Sequence, residues 1–129
     1  MTVAPLSLRT LPAAVEEHPL TLVDVGAAWC APCRRFSPIF EAAAARHPDV
    51  FFGSVDTDAE QELAAVLGIR SLPTLLGFRD GELVFRKAGV AGPGRLDEVI
   101  AQVQGGARGA GARGSSPRPA DTRRPPAGD

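Results

Sequence analysis

A chain of 129 residues suits a single domain, and 14 Lys and Arg against 15 Asp and Glu give a net charge of −1. That balance argues against a nucleic-acid-binding protein and against a polybasic membrane-surface protein. Residues 105–129 hold 6 Gly and 4 Pro but no Val, Ile, Leu, Met, Phe or Trp. Such a segment cannot bury enough apolar surface to offset its ordering entropy, so it is expected to be a disordered tail behind a domain at residues 1–104. Nine basic and thirteen acidic side chains precede residue 105, against five Arg and two Asp after it, which makes the domain acidic and the tail basic. No stretch approaches the ~18 apolar residues of a membrane span. The N-terminus has no basic region followed by an apolar run, and Glu16 and Glu17 interrupt any candidate. With no export signal, the expected compartment is the cytoplasm.

Along the chain, Leu6–Arg9 reads as an edge strand, and Thr10 as the cap of a short helix through Glu17 with Pro12 in its first turn. Residues 20–26 (LTLVDVG) form a mostly apolar run of strand length, of the kind buried on both faces of a sheet. Phe36, Ile39, Phe40 and Ala43 then recur at helical spacing in an alanine-rich stretch that reaches about Arg46 and ends at Pro48. Residues 50–55 are a second strand, and the two strands around this helix make a βαβ unit with parallel strands. Thr57 and Glu60 have the spacing of a capping box, and Gly68 that of a residue just past a helix end, so about ten helical residues are expected between them. Residues 74–79 and 82–87 flank Asp80-Gly81, a strong signal for a type I′ hairpin. Leu96, Val99, Ile100 and Val103 give a last amphipathic helix. The order predicts an α/β domain with a mixed sheet of four to five strands and helices on both faces.

Cys30-Ala31-Pro32-Cys33 falls between the first central strand and its helix, and these are the only two cysteines. A CxxC pair beside a βαβ unit reads as a redox pair. With Cys30 as the N-cap residue, Cys33 is the third helical residue, whose amide an N-cap side chain accepts. That amide and the positive end of the helix dipole both lower the pKa of the Cys30 thiol. Pro32 in the first turn removes no helical hydrogen bond. Other readings compete. Half a zinc site would need two more ligands, and His18 and His47 lack finger-like spacing. A structural disulfide is not needed by a core of this size in the cytosol. Two unpaired buried thiols would make the placement at a helix N-terminus a coincidence.

The stretch Leu22-Val23-Asp24-Val25-Gly26-Ala27-Ala28-Trp29-Cys30-Ala31-Pro32-Cys33 closely resembles the active-site region of thioredoxins. Pro38 also matches, within the helix that follows. So does Gly68-Ile69-Arg70-Ser71-Leu72-Pro73-Thr74, where that family has its cis-proline loop. Phe78, Asp80, Gly81 and Gly89 fit its C-terminal hairpin, so the likeness covers roughly residues 20–104.

The resemblance implies a thioredoxin fold and a protein disulfide reductase. Cys30 would attack an oxidised target to form a mixed disulfide, and Cys33 would resolve it, leaving Cys30 and Cys33 oxidised. Trp29, Ala31, Pro32, Leu72, Pro73 and Gly89 would form the surface that takes the target. Pro73 would be cis, turning the Leu72 backbone toward the target for strand-like pairing. An Asp in an otherwise aliphatic strand is costly without a partner, and no basic residue is obvious near Asp24. In the family the matching acid takes up the Cys33 proton, and burial raises its pKa toward neutrality. Three positions depart from the family pattern. Gly26 stands where an aromatic is common, leaving the region behind the motif less filled, and Phe52 stands where many members have a Lys near the acid. Ala31 replaces a frequent Gly. The implied partners are disulfide-containing proteins and a flavoprotein of the thioredoxin-reductase type, with no bound cofactor or metal, and a monomer is expected. The alternative reading is a redox-responsive binding or chaperone-like module with slow turnover.

Overall fold

Strand alternation sends Leu22 to one face of the central strand and Val23 and Val25 to the other, where all three are buried. This strand, β2 (Leu20–Gly26), is therefore covered on both sides, as its apolar run requires. The structure is a computed structural model that describes residues 3–105. On one side of β2 lies β3 (Phe51–Asp56), parallel to it, with β1 (Val3–Pro5) parallel beyond. On the other lies β4 (Thr74–Arg79), antiparallel, followed by the edge strand β5 (Glu82–Ala88). The order β1-β3-β2-β4-β5 is the expected mixed sheet, with five strands.

Two helices cover each face. Phe36 and Phe40 of α2 (Ala31–Arg46) and Leu96 and Ile100 of α4 (Pro93–Val103) pack on Leu22, Phe52 and Leu75. On the opposite face, Leu11 and Val15 of α1 (Thr10–Glu17) and Leu63 of α3 (Gln61–Val66) pack on Val23, Val25, Val55 and Leu76. The hairpin turn takes the expected form, with positive φ at both Asp80 (54°) and Gly81 (85°). Gly68 (φ 69°) closes α3 as expected: its N–H donates to the Ala65 carbonyl, and that of Ile69 to Ala64.

Three local expectations are corrected. The edge strand is Val3–Pro5 rather than Leu6–Arg9, because Leu6 turns inward over Gly53, where a Cβ would meet its side chain. Thr10 is the first residue of α1 rather than its cap, and the cap position falls to Arg9. Ser7 Oγ accepts the Thr10 N–H at 3.2 Å and Thr10 Oγ1 accepts the Ser7 N–H at 2.8 Å, a reciprocal pair that folds residues 7–10 into the helix entry. The Thr57–Glu60 capping box does not form, and α3 has six residues. Asp56 Oδ1 accepts the Asp58 N–H at 2.9 Å, and Glu60 Oε1 reaches the Leu8 N–H at 3.4 Å. The two amides that the box would have satisfied are taken by backbone instead: the Thr57 N–H donates to the Gly26 carbonyl and the Glu60 N–H to the Asp56 carbonyl. The tail expected at residues 105–129 lies, beyond Gly105, outside the described residues.

Candidate active site

β2 carries the chain to Gly26, and the Ala27–Trp29 turn delivers Cys30 to the N-terminus of α2. Cys30 has extended backbone (φ −88°, ψ 114°), as an N-cap residue does, and its Sγ accepts the Cys33 N–H at 3.2 Å. The two cysteines form a disulfide with a Cα–Cα separation of 5.2 Å. Pro32 sits in the first turn of the helix, as the sequence suggested. His18 stacks on Phe51 and His47 bonds Asp97, so each histidine is engaged away from the sulfurs.

The two sulfurs face different spaces. Cys30 opens on a groove of about 530 Å³ whose walls include Trp29, Ala31, Pro32, Ile69 and Leu72. Trp29 is 67 % exposed and lies along this groove, held by its indole N–H, which donates to Asp58 Oδ2 at 2.9 Å. The Leu72–Pro73 peptide bond is cis, and Leu72 packs against the cluster of Ala27, Cys30 and Cys33. Thr74 Oγ1 donates to the Ser71 carbonyl at 2.6 Å, which ties the loop on the far side of Pro73. Gly89 is not a groove wall. Its N–H donates to the Pro73 carbonyl at 2.8 Å, and its φ of 103° is one that glycine adopts freely.

Cys33 instead borders a second cavity, of about 200 Å³, behind the dithiol. Asp24 forms part of its lining, together with Gly26, Ser37, Ser54 and Asp56. Asp24 is only 7 % exposed, and its Oδ1 has no hydrogen-bond partner among the described residues. Burial alone pushes its carboxyl up to about 7. Phe52 does not stand beside the acid as expected. It pairs with Leu22 and packs edge-on against Phe40 at 5.0 Å in the α2–α4 core, and the β3 residue beside Asp24 is the uncharged Ser54. The strand acid is thus left without a compensating charge. Gly26 lets the β2 backbone pass close to Cys33: a Cβ there would crowd Cys33 Sγ at 3.1 Å and would lie 3.9 Å from Asp24 Oδ1.

The sequence did not single out Asp58 or Ile69. Asp58 is 29 residues from the indole it holds, and only the docking of the β3–α3 turn against the motif brings them together. Ile69 was visible as an apolar residue after Gly68, but nothing local told a groove wall from core.

A dithiol on a helix N-terminus, beside a cis-proline loop and at the end of a central strand, defines a thiol–disulfide oxidoreductase of the thioredoxin fold. The thioredoxin family model matches residues 2–104. The chain belongs to the thioredoxin family. It is 42 % identical over 90 residues to putative thioredoxin 2 of Streptomyces coelicolor, covering 70 % of this chain and 67 % of that one. It is 40 % identical over 85 residues to a thioredoxin of Chlamydia muridarum, covering 66 % and 83 %. Among solved structures, a mutant thioredoxin from Halobacterium salinarum superposes with a TM-score of 0.74 at 30 % identity, covering 78 % of this chain and 89 % of that one. Members of the family reduce disulfide substrates and are themselves reduced by thioredoxin reductase.

Proposed function

We propose that Cys30 is the attacking thiolate and Cys33 the resolving thiol in the reduction of protein disulfides, with a thioredoxin-reductase-type flavoprotein as electron donor. The observation that carries this reading is the asymmetry of the two sulfurs. Cys30 faces the groove and accepts an amide at a helix N-terminus, which favours its thiolate. Both cysteines are buried, but only Cys30 lines the groove while Cys33 borders the cavity behind it, so a protein target meets Cys30 first. Trp29, Ala31, Pro32 and Leu72 would hold an extended target segment, while Pro73 and Gly89 fix the loop that presents Leu72. Asp24, next to the cavity that Cys33 borders, is placed to take the Cys33 proton as the mixed disulfide is resolved. Among the described residues no helix is long and apolar enough to cross a membrane. We assign the chain to the cytoplasm, where it would act as a monomer.

Insulin reduction coupled to a thioredoxin reductase tests the reading. Wild type is expected to turn over, Cys30→Ser to be inactive, and Cys33→Ser to accumulate mixed disulfides with target proteins. Trapping by Cys30→Ser instead would reverse the two roles. Target binding that depends on redox state, with no turnover, would favour a binding module.

A further inference from the structure

The cavity behind the dithiol combines three features that the target groove lacks. It borders Cys33, it is walled in part by a buried carboxyl without a hydrogen-bond partner among the described residues, and Gly26 in its lining puts no side chain over Cys33. At about 200 Å³ it admits a small molecule, whereas a protein loop needs the larger groove on the other side. We propose that this cavity is a second entrance to the redox centre, through which a low-molecular-weight thiol attacks Cys33 and reduces the Cys30–Cys33 disulfide.

Disulfide exchange is faster when the leaving thiol has a low pKa, and it requires access to the sulfur attacked. Attack on Cys33 expels Cys30, whose sulfur already accepts the Cys33 amide at the helix N-terminus. Attack on Cys30 would expel Cys33, whose sulfur accepts no such amide among the described residues and is the poorer leaving group. The chemistry therefore favours Cys33 as the electrophile, and burial is the ordinary obstacle. Here the cavity borders Cys33, and Gly26 leaves off the one atom that would press on its sulfur from this side, a Cβ 3.1 Å from Cys33 Sγ. Asp24, 3.9 Å from the same point and with its carboxyl raised to about 7, can accept the proton of the incoming thiol.

The steps balance. The thiol sulfur bonds to Cys33 Sγ as the Cys30–Cys33 bond breaks, its proton passes to Asp24, and Cys30 leaves as thiolate. A second thiol attacks the small-molecule sulfur of the mixed disulfide and releases Cys33. Its proton, and the one held by Asp24, protonate the two protein sulfurs. Two thiols are oxidised to one small disulfide, and the protein disulfide gains two electrons. The inference rests on the proposed redox cycle only in taking Cys30–Cys33 as the pair that turns over.

Cysteamine is the probe. The oxidised full chain is mixed with it, quenched in acid within the first turnover, and the adduct is mapped by tandem mass spectrometry. An adduct on Cys33 is expected, and an adduct on Cys30 overturns the proposal. Gly26→Phe and Ser54→Leu fill the cavity from β2 and from β3. Each is expected to slow reduction by cysteamine about tenfold, because exchange depends on access to the attacked sulfur. Thermal unfolding shows which of the two variants folds, and an unchanged rate in a folded variant overturns the proposal. If neither folds, the wild-type adduct site decides. Wild-type insulin reduction with a reductase separates the two readings: turnover there with an adduct on Cys30 removes the second entrance and leaves the proposed function standing.

Discussion

Asp24 carries the largest electrostatic cost in the described structure. Its carboxyl titrates near 3.8 in the unfolded chain and at about 7 in the fold, with desolvation as the cause. A raised acid means that the folded state holds a proton which the unfolded state has already released at neutral pH. The stabilisation is fully present below about pH 4, is lost as pH rises through the folded value, and levels off above about pH 8. The whole change is worth about 4 kcal/mol, a large share of the stability of a domain this size. Asp24→Asn cannot ionise, so it is expected to be about 1–3 kcal/mol more stable than wild type at pH 8, with the gain disappearing near pH 4. The gain falls short of the whole change because the buried amide also lacks a partner. Urea unfolding from pH 4 to 9 measures it, and a gain that did not depend on pH would contradict the assignment of burial as the cause. The same variant cannot accept the Cys33 proton, so single-turnover target reduction at pH 7 is expected to slow.

At the scale of elements, β4 and α4 meet through a glycine. A Cβ at Gly77 would lie 2.7 Å from Val103 Cγ2 and 3.1 Å from Phe85 Cβ, so the helix sits closer to the sheet than any side chain permits. Gly77→Ala is expected to destabilise by about 1–3 kcal/mol through overpacking, read as a lower urea midpoint with an unchanged slope. Nothing in the sequence marked Gly77 as a packing position, because a glycine in a strand reads equally as a bulge, and the β4–β5 register does shift between Gly77 and Phe78. The elements themselves were legible where periodicity or turn chemistry acts within a few residues. The Phe36–Ala43 spacing, the Asp80-Gly81 turn and Gly68 all mark structure that forms as expected. The N-terminal edge and the entry to α3 were not legible, since Ser7, Leu6 and Glu60 answer to contacts that no hydrophobic period or turn signal encodes. The site shows the same division. Cys30, Cys33 and Pro73 could be found from local motifs, whereas the hold of Asp58 on Trp29 is tertiary.

Over the whole molecule, the redox pair lies at the end of the central strand, where β2 gives way to the helix that covers one face. Every hydrophobic cluster of the described residues is built from residues 3–103. The segment after Gly105 brings no large apolar side chain, so removing residues 106–129 is expected to leave the unfolding midpoint within about two degrees of the full chain. A larger drop in calorimetry would show that those residues contribute to the folded domain. The cysteines are three positions apart, so their bridge closes one of the shortest rings a peptide can form. Cross-links tie down chain entropy roughly in proportion to the logarithm of ring size, and a ring this small restrains little of the unfolded chain. Opening it releases almost no backbone. The bridge joins two residues that one turn of α2 already holds together, so a partner that tells the oxidised molecule from the reduced one reads the sulfur at the groove.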